Sequence, residues 1–290
     1  MQNQRIQGHR RLWRGLTVGL SLTLVACVDN TSQPGALGDY QSAQSPSTCV
    51  PNLDGQIDAA ELTALYGVAA SYRVSPAGLT RSIDIAGSID AEGHRVWDWS
   101  ARNNDDQIAK ISAQTLGSQW YAPSFPEGQF VVPFDAGDQI EAIYKKDNNG
   151  LFLLGLASHD QAPAQGKTLL PYDQPIAALR FPLAVGKTWT TTAKTQAGKG
   201  MYHGIPFASS DTYAVSVDAA GRLELPDLTV TQALRVRTQV TIVPVAGLTT
   251  TQRQVSMMFE CLGEVARAVS QSNESQQDFQ TASEVRRLAL

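Results

Sequence analysis

The stretch Leu234, Val236, Thr238, Val240 and Ile242, alternating with Arg235, Arg237, Gln239 and Thr241, constrains the fold more than any other feature of the chain. A period of two places the first set on one face of an extended strand and the second set on the other. Tyr213, Val215 and Val217 repeat the pattern. Asp218 to Gly221 then reads as a turn into Leu223 and Leu225, and Asp147-Asn148-Asn149-Gly150 as a hairpin turn between Ile140–Lys145 and Leu151–Ala157. Further strands are expected at 72–75, 82–86, 96–99, 188–192, 253–259, 265–270 and 285–290. Alternation with hairpin turns predicts antiparallel sheet with one face in water. Two short helices are expected, over Asp58 to Leu65 and over Asn103 to Leu116. In the second, Ile108, Ile111 and Leu116 fall at helical spacing and Gly117 follows as a cap. The fold class is therefore mainly β: a curved antiparallel sheet, half-barrel or sandwich-like, with one or two short helices.

The N-terminus carries an address. Arg5, Arg10, Arg11 and Arg14 precede an apolar run from Gly15 to Ala26 that is too short to span a bilayer as a helix. Leu24-Val25-Ala26-Cys27 resembles the lipobox of bacterial lipoproteins. That resemblance implies cleavage before Cys27, a diacylglycerol on its sulfur and an acylated amine. Two or more acyl chains anchor stably where one does not. Val28, rather than an aspartate, directly after the cysteine favours the outer membrane. The organisation expected is a signal peptide at 1–26, a flexible Ser/Gln/Gly/Pro-rich tether at 27–48, and a β-rich body at 49–290, with a candidate internal boundary near 175–181.

The chain has 23 basic and 27 acidic residues; the leader removes four arginines and no acid, leaving 19 against 27. So acidic a body argues against nucleic acid as a partner. With Cys27 assigned to lipid, Cys49 and Cys261 remain, in a compartment where disulfides persist. A Cys49–Cys261 disulfide is the economical expectation, and two buried thiols the alternative.

Asn52, Asp54, Gly55, Ile57 and Glu61 are spaced like part of an EF-hand calcium loop, which makes Asn52, Asp54 and Glu61 candidate metal ligands. The first ligand position holds Val50. The competing reading is a structural turn built by Asn52 and Asp54. Trp97 and Trp99 flank Asp98 on one expected strand, so their rings share a face. With Trp120 they are candidate glycan-binding residues if exposed, and core if not. His94, His159 and His203 lack metal-ligand spacing, and the neighbours Ser158, His159 and Asp160 cannot by adjacency form a triad. The nucleophile-elbow, Walker, HExxH and paired-cysteine zinc motifs are all absent from the sequence, so no catalytic residue is expected.

Phe181-Pro182-Leu183-Ala184-Val185-Gly186-Lys187-Thr188-Trp189 resembles a segment of uncharacterised bacterial envelope proteins. Gly263-Glu264-Val265-Ala266-Arg267 resembles the strand that closes those domains. Several are similar to the curved half-barrels of Lol-type lipoprotein carriers. The likeness covers the last 110 residues or so and implies a concave sheet that holds an acyl chain or a core plug. The expectation is a non-catalytic, lipid-anchored envelope protein whose partners are the membrane, through its lipid, and a hydrophobic ligand or an envelope protein. A glycan-binding module is the alternative, and a hydrolase a more remote one.

Overall fold

The computed structural model describes residues 49–62, 68–135, 137 and 139–290. The expected signal peptide, Cys27 and the tether lie outside the described residues. The chain from Thr48 to Leu290 forms one unit.

The first strands are short: β1 (Gln56–Ile57), β2 (Ala70–Val74), β3 (Arg81–Ser82), β4 (Ser88–Ile89), β5 (Arg95–Asp98), β6 (Gln107–Ile111) and β7 (Gln114–Thr115). A 3₁₀ turn at Ala122–Ser124 precedes β8 (Phe130–Pro133), β9 (Ile140–Asp147), β10 (Gly150–Ser158) and β11 (Leu169–Arg180). Then come β12 (Leu183–Ala184), β13 (Thr188–Lys194), β14 (Met201–Tyr202) and β15 (Ile205–Pro206). The long strands close the chain: β16 (Ser209–Glu224), β17 (Thr229–Pro244), β18 (Thr250–Phe259), β19 (Gly263–Ser270) and β20 (Thr281–Ala289). The internal boundary considered near 175–181 falls within β11 and the turn after it.

Two large sheets result. One has seven strands in the order β15-β14-β11-β10-β9-β8-β7. The other has eleven, running β4-β5-β16-β17-β18-β19-β20-β2-β6, with β13 beside β16 and β3 beside β20. Pairing is antiparallel except between β5 and β16. Neither sheet closes into a barrel. They face each other through Leu153, Tyr172 and Ile176 of the smaller sheet and Tyr213, Val215 and Val236 of the larger. β13 joins them along one side: it pairs with β16 throughout, the Trp189 indole donates to the Ala177 carbonyl at 2.7 Å, and Tyr172 bridges Thr195. Gly155 marks a β-bulge where β10 shifts register against both neighbours, at a φ of 154° and with the Leu170 carbonyl where a Cβ would stand.

The expectation of one wet face is corrected. The outer face of the larger sheet is covered by Ile85, Trp97, Trp99 and Phe279, which pack on Ala233, Val255 and Met257. The outer face of the smaller sheet is covered by the 116–125 segment through Leu116, Tyr121 and Phe125. Arg235 and Arg237, read as solvent-facing, are therefore buried. Asp218 accepts from both: Arg235 at 2.8 and 2.9 Å and Arg237 at 2.7 Å. The remaining Arg235 guanidinium group binds the carbonyls of Ile85 and Ala86, and Arg237 binds the Gln277 carbonyl and Asp278.

Three local expectations are also corrected. Asp218 to Gly221 is not a turn. β16 continues through it with register shifts beside Ala219 and Leu223, because Asp218 is held by the two arginines of β17. The hairpin turn lies at 225–228, where the Leu225 amide donates to Leu228. The segment 103–116 holds two strands instead of a helix: β6 pairs with β2 from Ala70↔Ile111 to Val74↔Gln107 and β7 pairs with β8, so sheet pairing overrides helical spacing. Over its described part, the 58–65 helix is a turn closed by Glu61, whose amide donates to the Asp58 carbonyl while its carboxylate accepts the Asp58 amide. The hairpin at Asn148-Asn149 forms as read, with Asp147 opposite Gly150.

Cys49 and Cys261 are disulfide-bonded, 212 residues apart. Closing so long a loop in the unfolded chain contributes about 5 kcal/mol in the entropic model. Reducing it is therefore expected to lower the melting temperature by several degrees, read by circular dichroism with and without reductant; an unchanged melt would show that the crosslink adds nothing. Burial alone would raise the Asp218 carboxyl, but its hydrogen bonds to Arg235 and Arg237 and their charges outweigh that and hold it below the ordinary value. Its contribution is thus present above about pH 4 and lost as pH falls through the folded value. Asp218→Asn is expected to cost about 3 kcal/mol at neutral pH, since it leaves two buried guanidiniums without their shared anion. Urea unfolding checks this, and a midpoint equal to wild type would contradict it.

Candidate functional site

The glycan platform required exposed rings, and the structure overturns it. Trp97 and Trp99 do share a face, but it is the inward one, and they are 0% and 1% exposed. The Trp99 indole donates to the Asp84 carbonyl at 2.8 Å, and Arg235 lies over the Trp97 ring at 5.3 Å. Trp120 belongs to the separate cluster outside the smaller sheet. It is half-buried, and its indole donates to the carbonyls of Ser158 and His159. The three tryptophans therefore do not meet.

The calcium-like segment is built as a turn. Asn52 Oδ1 accepts the Asp54 amide and Asp54 Oδ1 the Gln56 amide, each at 2.9 Å. The Glu61 carboxylate accepts the Asp58 amide, so one side-chain oxygen of each of the three residues is engaged in building the turn. Among the described residues, no three His, Cys, Asp or Glu side chains converge as a metal-holding group. His159 lies 3.2 Å from the buried Glu141, which also accepts from the Tyr121 hydroxyl. The Ser158 hydroxyl turns to the carbonyls of Asp160 and Thr168. His203 stacks on Tyr202.

The feature that sequence reading missed lies between the sheets. There the facing strands leave a cavity of about 310 Å³, at the lower end of the roughly 300–1,000 Å³ of small-ligand sites. Strand alternation builds its walls. The inner positions of β9 and β10 contribute Tyr144, Leu151 and Leu153, and those of β17 contribute Val236, Thr238 and Val240. β8 supplies Phe130, which stacks on Tyr144 with centroids 5.8 Å apart. Lining residues from β18, β19 and β20 add a polar flank: Gln254, Ser256, Glu264, Arg267 and Arg286.

That flank is ordered. Glu264 accepts from Arg267 Nε at 2.9 Å and from the Ser256 hydroxyl at 2.7 Å. The Tyr72 hydroxyl donates to the Glu264 carbonyl at 2.7 Å. Arg286 donates to Glu284 at 2.6 Å and to the Phe134 carbonyl at 3.0 Å. Burial opposes the charge on Arg267, but Glu264 and its other neighbours prevail and keep it a stable cation. Tyr144 is pushed up by burial, against the opposing pull of Arg267. Such a site can hold an apolar body and orient one polar end; among the described residues, it presents no nucleophile–base pair. The clue in the sequence was a charged residue at an inward strand position, as at Arg267 among Val265, Ala266 and Ala268.

Burial, then the Glu264 charge, push the Tyr72 hydroxyl up to about 12. The folded state therefore keeps a proton that the unfolded state releases near pH 10, and stability is expected to fall as pH rises from about 10 towards the folded value. Urea midpoints at about pH 8, 10 and 11 check this against Tyr72→Phe, whose midpoint should fall less steeply over the same range. Identical slopes would remove Tyr72 as a source of alkaline lability.

Comparison of the chain with family models, curated proteins and solved structures finds no match.

Proposed function

We propose that this chain is a lipid-anchored protein of the bacterial envelope, at the outer membrane, whose β body holds a hydrophobic ligand between its two sheets. The carrying observation is the cavity: an apolar space kept open between sheets whose other contacts are closely packed. Protein interiors pack densely, and well-filled cores leave few voids larger than a water molecule. A space lined by Leu151, Leu153, Leu179, Val236 and Met258 is therefore a feature suited to an apolar occupant. The lipobox-like Leu24-Val25-Ala26-Cys27 supports the address, and the Cys49–Cys261 disulfide fits an oxidising compartment. Holding without transformation also fits a polar flank whose Glu264, Ser256 and Arg286 are already bound to one another or to backbone.

The full chain carrying Cys27→Ser, secreted and purified without detergent, is expected to show a stoichiometric extra mass in native mass spectrometry that disappears on denaturing extraction. A bare mass, together with failure to bind the anionic aromatic dye 1-anilinonaphthalene-8-sulfonate, would overturn the reading.

A further inference from the structure

The ligand-holding reading leaves the chemistry of the ligand open, and the cavity's charges address it. Across an acidic chain, the lining carries four cations, Lys146, Arg253, Arg267 and Arg286, against one carboxylate, Glu264. Several of these cations have partners: Lys146 donates to the Ala59 carbonyl, Arg253 to the Glu274 and Ser275 carbonyls, and Arg286 to Glu284 and the Phe134 carbonyl.

Arg267 differs. Glu264, itself fixed by Ser256, takes only the Nε side of the guanidinium. Among the described residues, both Nη groups of Arg267 lack a hydrogen-bond partner, and so does the Tyr144 hydroxyl. Each belongs to a half-buried residue on the cavity wall, and the charge of Arg267 acts on Tyr144. These atoms open onto the cavity space, where a ligand can take up their hydrogen bonds in place of water. The end of a guanidinium matches the two oxygens of a carboxylate, and a phenol can donate a third hydrogen bond.

We propose that the cavity binds a single aliphatic chain ending in a carboxylate, with its head on the Arg267 Nη groups and the Tyr144 hydroxyl and its tail against Leu151, Leu153, Leu179, Val236 and Met258. This rests on the ligand-holding reading and names the ligand class. One free guanidinium end suits a monoanion. The resident Glu264 holds that end in place and disfavours a second negative charge beside it.

The test is calorimetry on the Cys27→Ser full chain, stripped of bound lipid over a hydrophobic resin. The probes are laurate, dodecanol and dodecyltrimethylammonium, three heads on one tail. Laurate is expected to bind roughly tenfold or more tighter than dodecanol, as a charge-assisted hydrogen bond warrants, and the ammonium weakest. Arg267→Gln should bring laurate to the level of dodecanol. Tyr144→Phe, which removes one oxygen and keeps the ring, should weaken laurate roughly threefold to tenfold and leave dodecanol unchanged. It keeps the test decisive if Arg267→Gln fails to fold. Ala178→Trp, which fills the cavity from β11, should abolish binding of every probe. Equal binding of laurate and dodecanol, both lost in Ala178→Trp, would overturn the carboxylate inference and leave the ligand-holding reading standing. No binding of any probe would overturn both.

Discussion

A single carboxylate, Asp218, orders the two buried arginines that tie the larger sheet to its covering layer. It sits on β16 and receives both arginines of β17. Those arginines then reach outward, Arg235 to the carbonyls of Ile85 and Ala86 and Arg237 to Gln277 and Asp278. The N-terminal segment bearing Trp97 and Trp99 and the loop bearing Phe279 are thereby fixed onto the outer face of the larger sheet. Isolated guanidiniums under that layer would be prohibitively costly. With the anion present, the same side chains become the bolts of a covering layer. The inner face of β17 is released to serve the opposite sheet and the cavity.

The cavity follows from how the two sheets meet. They are drawn together along β11, β13 and β16, where Trp189, Tyr172 and Tyr213 pack closely. Glu264, Arg267 and Arg286 of β19 and β20 stand opposite the apolar wall of β8 to β10, with Glu264 bound to Arg267 Nε and Arg286 to Glu284 and the Phe134 carbonyl. The charged groups of that flank thus help to keep the space open.

Much of the architecture was legible because it rests on local periodicity. β17 to β20, the Asn148-Asn149 hairpin and the mainly β class all follow from alternation and turn residues. The Cys49–Cys261 pairing followed from a count of three cysteines. What failed depended on partners remote in sequence. Asp218 looks like a turn residue until Arg235 and Arg237 lie across from it. Asn103 to Leu116 looks helical until the edge of β2 requires a partner. Trp97 and Trp99 were correctly placed on one face, but which face faced solvent was decided by residues more than a hundred positions away. The cavity was illegible for the same reason: Tyr144 and Arg267 come from different sheets, and each looks like an ordinary strand residue.

The disulfide also sets the mechanical grip of the body. Cys49 is joined to Cys261, in the turn between β18 and β19, near the middle of the larger sheet's strand order. A pull on the chain preceding residue 49 is therefore delivered covalently to that turn before it can load β1 or β2. The short N-terminal strands, which pair over only two to five residues, are shielded from being unzipped one hydrogen bond at a time. Force arriving from that side meets the hairpin of β18 and β19, where pairs from Gln254↔Val269 to Phe259↔Gly263 share the load.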